Sequence, residues 1–264
     1  MPTPSLANET WTTTRNHVVH AYVADPSAEE RAPSAAVVVI LPGLGLPQYT
    51  FSTAAALARR GVRATVLDLP GFSAAGRHGS RPDVHDIGRV AAEWVEAQAI
   101  TGPVVVFGHS TGSQAALAAA LRLQETQTRL GLVMAGPTFT PRQRRLGPLA
   151  AATLTAYRRD SPAELMVVPT AVRELRGVWS VLRTGMQDTP DARLRRLRVP
   201  LILTAGEADT YAPREWLDRL ALAAGSTNVG VRLLPGSHNN PYTHPEELAE
   251  VVLEAVEDSV DSVP

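Results

Sequence analysis

Gly-His-Ser-Thr-Gly spans Gly108 to Gly112, inside the longer stretch VVVFGHSTGSQAALAAAL from Val104 to Leu121. Apolar residues lead into the pentapeptide and an alanine-rich, helix-forming run follows it. A serine at a sharp turn from a buried strand into a helix is placed for nucleophilic attack. Its hydroxyl projects above the sheet edge, near the positive end of the helix. Such a turn crowds the backbone, and flanking glycines relieve the crowding. The bland alternative for Ser110 is a helix cap, and the pentapeptide alone does not decide between the two.

A serine hydroxyl is a poor nucleophile until a base takes its proton, and the base needs an orienting acid. In a doubly wound sheet these partners sit on loops after later strands, in the chain order serine, acid, histidine. The run VPLILTAGEAD ends with Glu207 and Asp209, and VRLLPGSHNNP carries His238. One helical pattern, PREWLDRLALAAG, separates them. Three separate loops thus offer the required residue types at one sheet edge. Glu207 reads as a solvated loop residue, and Asp188 is a minor alternative acid. His244 lies at a helix start in THPEEL. His109 is inside the pentapeptide and is expected to pack under the cap. His17 and His20 fall on one strand pattern, on opposite faces. His78 and His85 follow DLPGFS and are placed to line a pocket mouth. No His-Glu-x-x-His or similar spacing occurs, so no metal is expected. Neither GHSTGS nor GLGLPQ fits the glycine pattern of a dinucleotide site.

The elements that must hold these residues follow from periodicity. Ala35–Leu41, Ala64–Leu69, Pro103–Phe107, Leu130–Ala135, Val199–Ala205 and Val229–Leu234 read as strands. Most are apolar throughout, as strands covered on both faces are. Helical patterns lie between most of them, so the fold class is α/β with a mostly parallel sheet. His17–Asp25 adds a strand at the N-terminal edge, and Met1–Asn8 and Asp258–Pro264 read as frayed tails. Residues 137–190 break the alternation with helical patterns and no strand, too long for an ordinary connection. The expected organisation is a core of residues 9–136 and 191–257 with a helical cap insertion at 137–190. Tyr157, Met166, Trp179, Leu182 and Met186 would pack the cap on the sheet.

Composition narrows the chemistry. The chain has 264 residues and no cysteine, which excludes thiolate nucleophiles, disulfides and Fe–S clusters. All 25 basic residues are arginine, which excludes Schiff-base lysines and the P-loop lysine. A net charge of −1 provides no drive toward nucleic acid or an anionic membrane. No apolar run is long enough to span a membrane, and the N-terminus lacks a secretory pattern, so a cytoplasmic location is expected. In the insertion, Arg142, Arg144, Arg145, Arg158, Arg159, Arg173, Arg176 and Arg183 outnumber Asp160, Glu164, Glu174 and Asp188. That excess reads as a solvated helix surface, or as a mouth biased toward anionic substrates.

With these motifs in hand, the sequence resembles the α/β-hydrolase superfamily from about Val18 to Val256. The resemblance rests on LPGLG (Leu41–Gly45), VLDLPGFSAAG (Val66–Gly76), GHSTG, LTAGEAD (Leu203–Asp209) and LPGSHNNPYTHPEEL (Leu234–Leu248). It implies Ser110 as nucleophile, His238 as general base and then acid, and Asp209 as orienting acid. It also implies backbone amides of Leu44 and Thr111 as the oxyanion hole. The family's usual His-Gly before that hole is Pro42-Gly43 here; a hole built from backbone N–H groups tolerates the change. Members that use aspartate as nucleophile, such as epoxide hydrolases and haloalkane dehalogenases, are disfavoured by the serine. The implied activity is hydrolysis of a small-molecule ester, thioester or lactone, without a cofactor. A C–C bond hydrolase or acyltransferase with the same residues, and a ligand receptor without turnover, stay open, as does a homodimer.

Overall fold

The computed structural model describes residues 6–13, 15–30, 32, 35–69, 80–159 and 173–261, with backbone alone for 154, 156–159 and 261. Eight strands form one sheet: β1 (Ala7–Thr12), β2 (Val18–Ala24), β3 (Val37–Leu41), β4 (Arg63–Asp68), β5 (Val104–His109), β6 (Leu130–Ala135), β7 (Leu201–Gly206) and β8 (Val229–Leu234). Their order across the sheet is β1-β2-β4-β3-β5-β6-β7-β8. The pairs β1/β2 and β2/β4 are antiparallel, and all later pairs are parallel. The six apolar runs each overlap one of the strands from β3 to β8, with ends that agree within a residue or two.

The central strands are buried on both faces because helices cover both. On one side α1 (Phe51–Arg59) and the last helix pack over Val38, Ile40, Val105 and Phe107. On the other, α2 (Val84–Ala97) and α3 (Thr111–Leu123) bury Val39, Leu41, Val104 and Val106. An all-apolar strand is the sequence signature of that sandwich. Between β6 and β7 the described residues form α4 (Leu146–Arg159), α5 (Leu175–Gln187) and the start of α6 (Pro190–Arg193). After β7 come α7 (Arg214–Ala223), α8 (Asn240–Thr243) and α9 (Pro245–Asp261).

Two termini differ from the sequence reading. Residues Ala7 and Asn8 are not part of a tail: they open β1, which pairs with β2 from Ala7↔Val23 to Thr12↔Val18. ANETWT is polar and exposed and carries no apolar alternation. Only the open edge of β2, with the Trp11 ring edge-on to Trp94 of α2 at 6.5 Å, makes it a strand. At the other end α9 continues to Asp261, because Val256 and Ser259 remain buried against the sheet. His17 lies just before β2 rather than in it, with Nδ1 3.0 Å from Glu93 of α2, while His20 Nδ1 lies 3.3 Å from Thr10 Oγ1. Trp179 does not pack inward. It is 49% exposed, and Val181 and Gly185 take the buried face of α5. His78, Asp160, Glu164 and Met166 fall outside the described residues, as do the side chains of Tyr157, Arg158 and Arg159.

Candidate active site

Register across the parallel strands brings their C-terminal ends to one level. Leu41 pairs with Gly108, His109 with Ala135, Ala135 with Thr204, and Gly206 with Leu234. The hydrogen-bond ladder continues into the loops above. Ser110 N–H donates to Ala135 O at 2.9 Å and Gly136 N–H to Thr204 O at 2.7 Å. The loops after β7 and β8 are joined by Glu207 N–H to Leu234 O and Ala208 N–H to Gly236 O, each 2.9 Å. Candidates from three sequence-distant loops therefore meet because the sheet aligns its ends.

Ser110 turns from β5 into α3 with φ 56° and ψ −125°, a conformation sparsely populated by non-glycine residues. A side chain at Gly108 would stand 2.3 Å from Gly112 O, and one at Gly112 would stand 2.1 Å from Leu41 O. The strand-to-helix turn closes only with glycine at both positions. Ser113 Oγ donates to Ser110 O at 2.6 Å and clamps the turn from the helix side.

Ser110 Oγ lies 3.0 Å from His238 Nε2, and His238 Nδ1 lies 2.9 Å from Asp209 Oδ2. The other Asp209 oxygen accepts the N–H groups of Tyr211 and Ala212 at 2.8 and 3.0 Å. Burial of Asp209 opposes its charge, but the His238 ring and these N–H donors outweigh burial and hold the carboxyl below its usual range. An ionised Asp209 accepts from Nδ1–H, which leaves Nε2 bare toward the serine hydroxyl. The chain of contacts can therefore move a proton from Ser110 Oγ to His238.

The sequence reading missed the roles of three neighbours of this constellation. His109 donates Nε2–H to His238 O at 2.9 Å, its ring centre 4.9 Å from that of His238. It is expected in sequence to pack under the cap and is instead buried against His238. Desolvation, and then the nearby His238 ring, push its pKa down to about 3. The Tyr211 ring stands 4.6 Å from His238 on another side. Gly136 has φ +53°, and a side chain there would stand 3.0 Å from the His238 ring. Gly-Pro directly after a buried strand is the signal that could have flagged Gly136. Behind His238 a cavity of about 10 Å³, lined in part by Gly136, Thr204 and Asn240, has room for about one water and none for an acyl group.

Leu44 sits in a 3-10 turn (Gly43–Gly45) with φ 50° and ψ 17°. Its N–H donates to Thr111 Oγ1 at 2.7 Å, so that donor is already engaged by a side chain. The Thr111 N–H opens α3 and is not consumed by the helix's own ladder. Asp188 is buried elsewhere, with Arg193 Nη1 at 2.8 Å and His85 Nε2 at 3.5 Å. Glu207 is exposed, and His244 Nδ1 lies beside Thr243 Oγ1 at 2.9 Å. None of the three joins the Ser110–His238–Asp209 group. Two described parts of the insertion meet residues beside the site. In α5, Gly185 O accepts Gln114 Nε2 of α3 at 2.9 Å and Thr184 Oγ1 accepts Val84 N–H at 3.3 Å, while Gln143 Nε2 donates to Thr210 O, next to Asp209, at 2.8 Å.

Residues 38–251 match the sequence profile of the alpha/beta hydrolase family. The chain belongs to the alpha/beta hydrolase family. Solved structures agree on the fold. An esterase from Thermogutta terrifontis superposes with a TM-score of 0.69 at 19% identity, covering 96% of this chain and 99% of that one. Proline iminopeptidase from Mycobacterium smegmatis gives 0.73 at 18% identity, over 97% and 100%. The enol-lactonase from Burkholderia xenovorans LB400 gives 0.66 at 15%, over 94% and 100%. No curated protein matches the chain significantly by sequence. As an alpha/beta hydrolase it carries the family's eight-stranded, mostly parallel sheet, and no described helix is long and apolar enough to cross a membrane.

Proposed function

We propose that this alpha/beta hydrolase is a serine hydrolase that cleaves an ester, thioester or lactone through an acyl-enzyme. The observation that carries the reading is the unbroken hydrogen-bond chain from Ser110 Oγ through His238 to Asp209. Ser110 Oγ bonds to the acyl carbon while its proton passes to His238 Nε2, and the carbonyl π pair moves onto oxygen. His238 then gives that proton to the departing alcohol or thiol. Water repeats the sequence on the acyl-enzyme, with His238 as base, and frees the acid and Ser110. Asp209 holds the imidazole in its tautomer and balances the charge that forms on it. The Thr111 N–H faces the developing oxyanion, and the Leu44 N–H reaches that side of the site through the Thr111 hydroxyl. Esterases and a lactonase are among the structures that share this fold. Residues 137–190 act as the cap over Ser110, anchored through α5 beside Thr111.

Fluorophosphonate labelling tests the nucleophile. The adduct should fall on the peptide that contains Ser110, and Ser110→Ala should lose at least about a thousandfold in turnover. An adduct elsewhere, or unchanged turnover in the alanine variant, removes the assignment. A single burst of product with no steady state would instead identify a ligand receptor.

A further inference from the structure

The Leu44 N–H is a donor expected at the oxyanion, yet it is spent on the Thr111 hydroxyl. A threonine hydroxyl accepts through two lone pairs and donates one hydrogen. Thr111 Oγ1 receives Leu44 N–H, so its own hydrogen must point elsewhere. Thr111 is only 2% exposed, and among the described residues no acceptor takes that hydrogen. A buried hydroxyl with an unspent donor is costly unless something else supplies the acceptor. Thr111 follows Ser110 directly, and its N–H already heads α3. Its Cγ2 is turned to α5, 3.5 Å from where a side chain on Gly185 would begin. Its oxygen is turned to the Leu44 turn, which carries the other N–H expected at the oxyanion.

We propose that the Thr111 hydroxyl is itself a catalytic oxyanion donor, backed by the Leu44 N–H, so that the hole is made by Thr111 N–H and Thr111 O–H together. This inference rests on Ser110 being the nucleophile. When Ser110 Oγ attacks, the carbonyl oxygen gains the π pair and becomes the missing acceptor. No bond to Thr111 forms or breaks. Leu44 N–H, Thr111 O–H and the oxyanion then form one chain, in which each hydrogen bond polarises the next. Leu44, whose N–H meets the hydroxyl, sits in a strained turn with φ 50°.

Thr111→Val keeps the shape and removes only the hydroxyl. Turnover of an acyl ester should fall about a hundredfold, the typical loss for one oxyanion donor, with KM little changed. Affinity for a trifluoromethyl ketone, whose adduct carries the oxyanion, should fall in parallel. Thr111→Ser should keep most of both. If valine does not fold, Thr111→Ala is compared with Thr111→Ser in the same two assays. Turnover in Thr111→Val equal to or above the native enzyme would overturn the proposal, because the hydroxyl would then merely occupy the Leu44 N–H. Ser110→Ala separates the levels. If it stays active, the nucleophile reading and this inference both fall. If it is inactive while Thr111→Val is native-like, only the hydroxyl's role falls.

Discussion

His109 holds His238 from behind: its Nε2–H donates to the His238 carbonyl oxygen at 2.9 Å. A carbonyl only accepts, so His109 is the Nε2–H tautomer. Its Nδ1 is buried and, among the described residues, has no hydrogen-bond partner. Protonation would place a second hydrogen there, cut off from water and beside the His238 ring, and that is why its pKa drops to about 3.

This relationship sets a pH dependence. Between pH 6.5 and about 3 the unfolded chain carries a proton on His109 that the native state refuses, so stability falls as pH drops through that window. Asp209, with its carboxyl held below the usual range, adds a loss at the acid end of the same window. His109→Gln keeps a donor near Nε2 but cannot titrate. Its urea midpoint should fall less between pH 6.5 and 4 than that of the native protein. Parallel curves would show that His109 does not drive the acid instability.

Asp209 and Asp188 are both buried carboxylates with different partners. Asp209→Asn keeps an oxygen for the Tyr211 and Ala212 N–H groups, so folding should survive while the His238 tautomer is lost. Turnover should fall by about 10⁴-fold. Asp188→Asn should lower the melting temperature, because it weakens the pair between buried Asp188 and half-buried Arg193, and leave kcat within about twofold. A larger loss of kcat at Asp188 would move the orienting acid to the segment after β6.

Gly136 is expected to tolerate no side chain. Alanine there meets the His238 ring at 3.0 Å and adopts φ +53°. The backbone strain costs about 1–2 kcal/mol, and the displaced imidazole should cost about a hundredfold in kcat. Chemical denaturation and steady-state kinetics read the two effects separately. Native turnover in Gly136→Ala would mean that the His238 loop moves freely.

Arg142, Arg145, Arg176 and Arg183 of the insertion are exposed. If they attract an anionic acyl substrate, kcat/KM should fall as salt rises, because exposed charges are screened beyond roughly 8 Å at physiological ionic strength. A neutral ester of the same size should show a flat curve. Reversal of Arg142 and Arg145 to glutamate should lower kcat/KM for the anionic ester alone. Equal salt curves return these arginines to a solvated helix surface.

The sharp turn at Ser110 and the residues that meet it were legible in the sequence because each carries a local constraint. Glycine at 108 and 112 reflects a turn that admits no side chain, and all-apolar strands reflect cover on both faces. Ser110, Asp209 and His238 could each be nominated from one strand end. Strand β1 was not legible, since a polar edge strand is made by the open edge beside it and not by its own residues. The inward face of α5 was not legible either: Trp179 is large and apolar, yet Val181 and Gly185 are the residues that fit against the core. The Leu44–Thr111 hydrogen bond joins a turn after β3 to the start of α3, and the His109–His238 bond joins the end of β5 to the loop after β8. Residue type nominated the candidate groups. Only the aligned strand ends of the folded sheet decided which donor meets which acceptor, because hydrogen-bond partnership depends on tenths of an ångström between segments far apart in the chain.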